Sequence, residues 1–202
     1  MSRMMRRAAM VVVTTLATVP AARTAPIPEY DIPQMVEIGS IPAPQGWVAF
    51  CRENAGDCQP RPSPPVALTQ RRWDQLFRVN AAVNGSVRNV EERPGQDVWR
   101  YPADGTGDCE DYVLEKRRRL IAAGWPPGAL LITTARTRAG IGHAVLIVRT
   151  DIGEFVLDNN DIGVKPWTDV PYTLLARQSA ANPQIWAALQ GRDRQKGQGA
   201  MQ

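Results

Sequence analysis

The chain has 202 residues, enough for one domain with a sizeable core and short tails. Its content of hydrophobic residues (44%) and charged residues (22%) is ordinary for a globular protein, and 17 prolines indicate much non-regular chain. The formal charge of +4 and the pI near 9.2 do not indicate a nucleic-acid-binding protein, because the N-terminal segment supplies most of the positive excess.

Residues 1–21 predict a secretory signal peptide. Met1–Arg7 is positively charged, and the apolar segment 8–19 has 12 residues, too few to span a bilayer. Val19 and Ala21 suit the −3 and −1 positions of a cleavage site; an uncleaved N-terminal anchor is the alternative. Cleavage after Ala21 removes three arginines and no acid, so the formal charge falls from +4 to +1. We therefore expect an exported protein, periplasmic or secreted, without a nucleic-acid partner.

The three cysteines agree with export. Cys51 and Cys58 bracket a short polar loop that can close as a disulfide in an oxidising compartment. Cys109 is then left unpaired, and an odd thiol in an exported protein is either buried and inert or has a chemical role. Its place in a Gly/Asp-rich turn at the start of a helix favours the chemical role.

The segment 22–66 is rich in proline, and residues 25–44 within it are predicted to be extended. A domain over residues 67–190 follows it, and residues 191–202 form a polar tail. Apolar residues at helical spacing within 68–83 predict an amphipathic helix that packs on this domain, with Thr69 as its N-cap.

At the stretch Gly107–Tyr112, Gly-Asp-Cys-Glu-Asp-Tyr, a loop rich in Gly, Asp and Pro gives way to a helical pattern. Asp108 suits the N-cap, with Asp111 three residues later as in a capping box. Cys109 is then the first helical residue, where backbone N–H groups and the helix dipole favour a thiolate. It is the candidate nucleophile.

The helix that begins at Cys109 is predicted to run to Ala123 and to stop at Gly124. The charged residues 115–119 are interpreted as its solvated face rather than as a nucleic-acid-binding patch.

Beyond that helix the apolar pattern becomes that of β-strands. Runs at 129–135, 143–149 and 154–158 are joined by short turns, and short connections indicate antiparallel pairing. A further short strand is predicted at 164–167 and a last short helix at 182–189. The predicted fold is α+β, with the helix that carries the cysteine packed on an antiparallel sheet.

His143, the single histidine, opens the second of these strands, and Asp158 ends the third. In an antiparallel hairpin the start of one strand lies beside the end of the next, so the two side chains are expected to be neighbours. A thiol that attacks a carbonyl needs a base, and the base needs an orienting group. Cys109, His143 and Asp158 are therefore the candidate catalytic residues.

Three motifs, Gly-Asp-Cys-Glu-Asp-Tyr, Gly-His-Ala-Val-Leu and Phe-Val-Leu-Asp-Asn, resemble those of the bacterial transglutaminase-like cysteine proteinases, which include the LapG-type periplasmic proteases. The resemblance covers roughly residues 99–186. It implies a papain/transglutaminase-like core and an exported thiol protease that works through an acyl-enzyme with a Cys109–His143–Asp158 triad. The backbone N–H of Cys109 would be one oxyanion donor.

The resemblance also implies partners. In characterised members the substrate is a large cell-surface adhesin of the kind that supports biofilms, and a membrane receptor sequesters the protease. A protein substrate of this kind and such a receptor are the partners expected for this chain, and its oligomeric state is left open.

Three acids beside Cys109, namely Asp108, Glu110 and Asp111, are expected to raise the pKa of its thiol, because like charges oppose ionisation. A bound hard cation removes that conflict, and carboxylate oxygens are the ligands that Ca²⁺ prefers. In LapG-type members the acids that flank the catalytic cysteine bind calcium. The resemblance therefore implies Ca²⁺ as a cofactor with these three acids as candidate ligands. The alternative is that they only cap the helix and complement its dipole.

Two other functions stay open at this point. The same triad would serve an amidase or acyl transferase acting on a cell-wall peptide or a glutamine side chain, because acyl transfer differs from hydrolysis only in the nucleophile that reaches the acyl-enzyme. A non-catalytic, calcium-modulated binding domain would keep the fold without a reactive thiol, and the rate of Cys109 alkylation separates it from an enzyme. A zinc site is not expected, because one histidine and one unpaired cysteine lack the usual ligand set.

Overall fold

The computed structural model describes residues 26–27, 32–93 and 95–191. The predicted signal peptide, and the predicted polar tail beyond Gly191, lie outside these ranges. Within them, no helix is both long enough and apolar enough to cross a membrane.

The N-terminal part contributes a strand and a helix to the domain. These are β1 (Glu37–Ile41) and α1 (Gln45–Glu53), and α1 buries Trp47 in the main core. A short 3-10 turn after α1 brings Cys58 back to Cys51, and the disulfide between them confirms the predicted pairing. It joins the last turns of α1 to the segment that follows.

The second helix is the amphipathic helix that the apolar spacing predicts. It is α2 (Gln70–Ser86), and its N-cap is Thr69, whose hydroxyl accepts a hydrogen bond from the N–H of Arg72 at 3.4 Å. Its buried face includes Trp73 and Leu76, which lie in the main core. The periodicity was therefore sufficient to locate both this helix and its cap.

The helix that carries the cysteine follows a short parallel pair of strands, β2 (Arg88–Asn89) and β3 (Thr106–Gly107). This helix is α3 (Cys109–Ala122), and Gly124 just beyond it has a φ of 89°, a left-handed conformation that glycine adopts without strain. The predicted start and stop of the helix are confirmed.

The predicted capping box at the start of α3 is wrong. The side chain of Asp108 makes no capping hydrogen bond, although the residue does occupy the N-cap. The carboxylate of Asp111 does not reach back to Asp108; it accepts a hydrogen bond from the backbone N–H of Arg100 at 2.8 Å instead. Asp111 therefore ties the preceding loop to the first turn of the helix.

The prediction that residues 115–119 form a solvated helix face holds for Arg118 and Arg119 but is wrong for the first three residues of the run. Glu115, Lys116 and Arg117 are buried. Glu115 accepts hydrogen bonds from two arginines on its own helix, and the guanidinium of Arg117 donates to the carbonyl of Leu130 at 3.2 Å. Glu115 and Arg117 can be buried here because neighbouring residues supply their hydrogen-bond partners, whereas the Nζ of Lys116 has no such partner in the described part of the chain.

A seven-stranded antiparallel sheet forms the other layer, as the α+β prediction requires. Its strands after α3 are β4 (Leu130–Arg136), β5 (Gly142–Thr150), β6 (Gly153–Asp158), β7 (Asp161–Pro166), β8 (Thr173–Gln178) and β9 (Trp186–Leu189). The spatial order is β1-β9-β8-β4-β5-β6-β7, and α3 packs mainly against β5. The first four of these strands coincide with the predicted runs.

The predicted last helix over residues 182–189 is wrong, because its second half is strand β9. Sequence reasoning also missed β8. The two strands pair with each other, the turn between them is closed by the N–H of Ser179 donating to the carbonyl of Ile185, and β9 also pairs with β1. Pairing with a strand from the other end of the chain overrides the weak local signal of Trp-Ala-Ala-Leu.

The end of α2 anchors the turn between β6 and β7. The side-chain amide of Asn80 donates to the carbonyl of Asp161 at 2.8 Å, and that of Asn84 donates to the carbonyl of Asp158 at 2.9 Å. These bonds explain why a polar residue lies at position 80 of an otherwise apolar stripe. They also hold the rim of the sheet on which Asp158 lies.

Candidate active site

The unpaired thiol lies at the start of α3, against the second strand of the β4–β5 hairpin. Cys109 is half-buried and is the free cysteine of the chain. Its sulfur accepts a hydrogen bond from the backbone N–H of Ala144 and donates one to Glu110 Oε2 at 2.8 Å. The close approach of the chain here requires glycine at position 107, since a Cβ there would lie 2.5 Å from the Cβ of Asp111.

The environment of Cys109 favours the thiol over the thiolate. Burial is the largest cause and raises the pKa of the Cys109 thiol; the negative charge of Glu110 and its hydrogen bond raise it further. The N–H of Ala144 acts in the opposite direction. The expectation that the helix start favours the thiolate is wrong for this arrangement, because burial and a carboxylate in direct contact outweigh the helix dipole.

The histidine and the aspartate meet as the hairpin predicts. His143 lies at the start of β5 and Asp158 at the end of β6, and His143 Nε2 lies 3.0 Å from Asp158 Oδ1. Both side chains are buried. A carboxylate on Nε2 fixes that nitrogen as the donor and leaves Nδ1 as the proton acceptor of the neutral ring.

Asp158 is held in its ionised form by several donors. Burial on its own raises the pKa of this carboxyl, but hydrogen bonds from His143, from the backbone N–H of Asn160 and from the hydroxyl of Tyr172 lower it, and the net pKa is below the ordinary value. The ring of Tyr172 also lies against the imidazole, with 4.8 Å between the centroids. The sequence contained no signal for Tyr172, whereas Asn160 belongs to the polar turn that ends β6.

The structure thus brings His143 and Asp158 into direct contact and places the sulfur of Cys109 on the N–H of the residue next to His143. In this arrangement the thiol is bonded to Glu110. An imidazole oriented by a carboxylate is the kind of base that can take the proton from a neighbouring thiol, provided that the thiol leaves Glu110.

The three acids proposed as metal ligands lie around the first turn of α3. Burial raises the pKa of Glu110 and that of Asp111 to about 7 each, and the charge of Asp108 adds to both effects. Burial also raises the pKa of Asp108, whose Oδ1 is buried without a hydrogen-bond partner in the described part of the chain. Among residues 26–27, 32–93 and 95–191, no three His, Cys, Asp or Glu side chains converge as they would on a metal ion. The donors have the chemistry that Ca²⁺ prefers, and one of them has an unused oxygen.

Comparison with known proteins agrees with the motifs. The sequence profile of the bacterial transglutaminase-like cysteine proteinases (BTLCP) matches residues 37–194. The calcium-bound structure of LapG from Legionella pneumophila is similar at 25% sequence identity with a TM-score of 0.51, over 57% of this chain and 68% of the LapG chain. Two further structures of the same LapG, one of them EGTA-treated, align over 63% of this chain and 75% of theirs, at 25% identity with a TM-score of 0.49. No curated protein matches the chain.

Proposed function

Because the chain belongs to the bacterial transglutaminase-like cysteine proteinase family, and is therefore a cysteine protease, we propose that it hydrolyses peptide bonds with a catalytic triad of Cys109, His143 and Asp158. Membership confirms the resemblance that the three motifs indicated. The observation that carries the proposed triad is the 3.0 Å bond between His143 and Asp158, directly beside the Ala144 N–H that binds the Cys109 sulfur.

The proposed reaction uses His143 as base and then as acid. Nδ1 takes the thiol proton, and the sulfur of Cys109 attacks the carbonyl carbon, while the backbone N–H of Cys109 donates to the developing oxyanion. The imidazolium gives its proton to the departing amine as the C–N bond breaks, which leaves a thioester. A water that loses a proton to His143 then attacks the thioester, and the carboxylic acid leaves as the thiol reforms. Asp158 keeps Nε2 protonated throughout.

The thiol must leave Glu110 before it can reach His143, and the acids suggest what releases it. We propose Asp108, Glu110 and Asp111 as ligands of Ca²⁺, on the support of the unused, buried Oδ1 of Asp108 and of the calcium-bound LapG structure. A bound Ca²⁺ would hold these carboxylates ionised and screen their charge from the sulfur. Glu110 would then exchange its bond to the thiol for the cation, which removes a contact that raises the pKa of Cys109.

We further propose that residues 1–21 direct export to the periplasm or the cell exterior, and that the substrate is a protein there, such as a surface adhesin. The support for this part is the signal-peptide pattern and the family resemblance. A membrane receptor that sequesters the protease is proposed on the same resemblance.

The rate of iodoacetamide labelling against pH tests the triad without a known substrate. Cys109 is the free thiol, since the other two of the three cysteines form the disulfide, so Cys109→Ser supplies the blank. We expect Cys109 of the native protein with calcium to be labelled rapidly down to mildly acidic pH, and we expect His143→Ala to lose this rapid labelling. EGTA should slow the labelling of the native protein.

The outcomes separate the alternatives. Slow labelling with the pH midpoint of an ordinary thiol, unchanged in His143→Ala, would contradict the triad and favour a binding domain. If the thiol is activated, incubating a denatured protein substrate with and without a primary amine, followed by mass spectrometry of the products, separates hydrolysis from acyl transfer. Labelling that EGTA leaves unchanged would contradict the calcium ligands alone.

A further inference from the structure

A tyrosine from outside the three predicted catalytic residues contacts two of them. Tyr172 immediately precedes β8, whose first residue, Thr173, pairs with Arg136 of β4. On its other side β4 pairs with the start of β5, where Ala135 lies opposite His143. The strand order therefore brings Tyr172 to the same rim of the sheet as the imidazole.

Both the ring and the hydroxyl of Tyr172 contact the pair formed by His143 and Asp158. Its ring lies against that of His143, with centroids 4.8 Å apart and planes inclined at 60°. Its hydroxyl bonds to the carboxylate of Asp158 and meets the side chain of Asn160. The side-chain nitrogen of Asn160 also lies 3.5 Å from His143 Nε2. The hydroxyl of Tyr172 therefore also contacts a neighbour of the imidazole.

The hydroxyl is suited to a constant role as donor. Burial, followed by the nearby carboxylate of Asp158, raises the pKa of Tyr172 to about 12, so the phenol stays protonated at neutral pH. A buried carboxylate needs donors to remain ionised. The phenol of Tyr172 supplies such a donor, and it keeps its proton whether or not the imidazole is protonated.

Resting on the proposed triad, we propose that Tyr172 is a positioning residue of the active site. Its hydroxyl fixes the carboxylate of Asp158, and its ring fixes the plane of His143 and keeps water away from the bond between them. The imidazole is thereby held with Nε2 on the carboxylate and Nδ1 available to the thiol of Cys109. Tyr172 itself forms no bond to the substrate or to the reacting atoms.

Other charged groups act on Asp158, and they stay constant in the test. Lys116 of α3 and Lys165 of β7 favour its ionised form, and Asp161 of β7 opposes it. Because Tyr172→Phe changes none of them, a change in the pH profile of that variant reports the loss of the hydroxyl.

The test combines labelling of the thiol with NMR of the imidazole. His143 is the single histidine of the chain, so in full-length mature protein made without a histidine tag every imidazole ¹⁵N signal belongs to it. Tyr172→Phe removes only the hydroxyl, and Tyr172→Leu removes the ring as well. The matched control is Tyr101→Phe, which removes a phenol that donates to the carboxylate of Asp57 at 3.0 Å rather than to that of Asp158.

For Tyr172→Phe we expect iodoacetamide labelling at pH 7 to be about tenfold slower, the scale expected for one hydrogen bond to a charged group. The pH midpoint of labelling should move upward, since a less firmly held Asp158 stabilises the imidazolium less. The proton on Nε2 should exchange faster with water, and faster still in Tyr172→Leu. Tyr101→Phe should retain the native labelling profile and the native ¹⁵N signals.

Native labelling and an unchanged Nε2 signal in Tyr172→Phe, in a protein whose His143→Ala variant is inactive, would overturn the role of Tyr172 and leave the triad intact. If His143→Ala labels like the native protein, the proposed triad itself fails. A Tyr172→Phe variant that loses labelling in proportion to a loss of folded protein, as judged by near-UV circular dichroism, would assign Tyr172 a structural role only and would also overturn the proposal.

Discussion

Lys116→Met is expected to stabilise the protein, because it removes a charge that the fold buries without a hydrogen bond. Lys116 is fully buried on α3, and its Nζ has no hydrogen-bond partner in the part of the chain that the structure describes. The ring of Tyr112 lies 5.8 Å from the ammonium, and Asp158 is the carboxylate that acts on it from the sheet. Methionine keeps the unbranched stem and most of the volume.

The magnitude follows from the ionisation of the buried amine. Burial lowers the pKa of Lys116 from 10.5 to about 7, against a smaller raising effect of Asp158. A tenfold change in an ionisation constant corresponds to about 1.4 kcal/mol, so keeping this ammonium charged inside the protein costs roughly 5 kcal/mol at most. The Lys116→Met variant also loses the attraction of the ammonium to Asp158 and to the ring of Tyr112. We therefore expect a net gain of about 1–3 kcal/mol in the free energy of unfolding at pH 6.

The gain should depend on pH in one direction. Below pH 7 the amine is charged in both the folded and the unfolded state, and the full penalty of burial applies. Between pH 7 and 10.5 the folded protein has lost the proton that the unfolded chain retains, so the stability of the native protein rises with pH in this window. The advantage of Lys116→Met should therefore shrink as the pH rises from 7 toward 10.

Urea unfolding followed by tryptophan fluorescence at pH 6 and pH 9 measures both effects. Lys165→Met is the matched control, since Lys165 is exposed and its ion pair with Asp161 lies at the surface, where such pairs contribute little to stability. A Lys116→Met variant no more stable than the native protein at pH 6, or a difference that does not vary with pH, would refute the reasoning.

Three further changes have defined outcomes. Asp158→Ala should slow iodoacetamide labelling of the active-site thiol at pH 7 by at least about tenfold, since general-base positioning is worth that much or more; an unchanged rate would contradict its role. Replacing both Cys51 and Cys58 with serine opens a loop with a sequence separation of 7 and should lower the free energy of unfolding by about 2–3 kcal/mol, measured by urea unfolding, with reduced native protein as the control. Glu154→Gln should lower the free energy of unfolding by about 3 kcal/mol in the same assay, because the buried guanidinium of Arg177 loses the carboxylate that it meets at 2.7 Å. A loss of less than about 0.5 kcal/mol, which is within measurement error, would show that the pair is dispensable.

Part of the candidate site followed from the sequence because its parts depend on local chain connectivity. A glycine-rich turn followed by an acid and an apolar period specifies where α3 begins, and Cys109 is then its first residue. A short turn between two β-rich runs specifies a hairpin, so the start of β5 must face the end of β6, and His143 meets Asp158. The pairing of Cys51 with Cys58 is similarly local, since seven residues separate them.

Other features depend on chain segments distant in sequence, and only the tertiary structure decided them. Residues 186–189 became a strand because β8 and β1 present edges to them, a choice that their own propensities do not contain. Lys116 belongs to a run of charged residues that is typical of an exposed helix face, but it is buried because the sheet packs against that side of α3.

The ionisation of the candidate site was decided in the same way. Helix position alone favours a thiolate at Cys109, but the pKa of a thiol depends on its burial and on the nearest charge, and both were set by how α3 packs on β5 and by where Glu110 points. Tyr172 reaches His143 because β8 pairs with β4, a strand that is distant from it in the sequence. Local sequence determined which reactive residues this protein has and the elements that carry them; packing between distant segments determined their protonation and the groups that hold them in place.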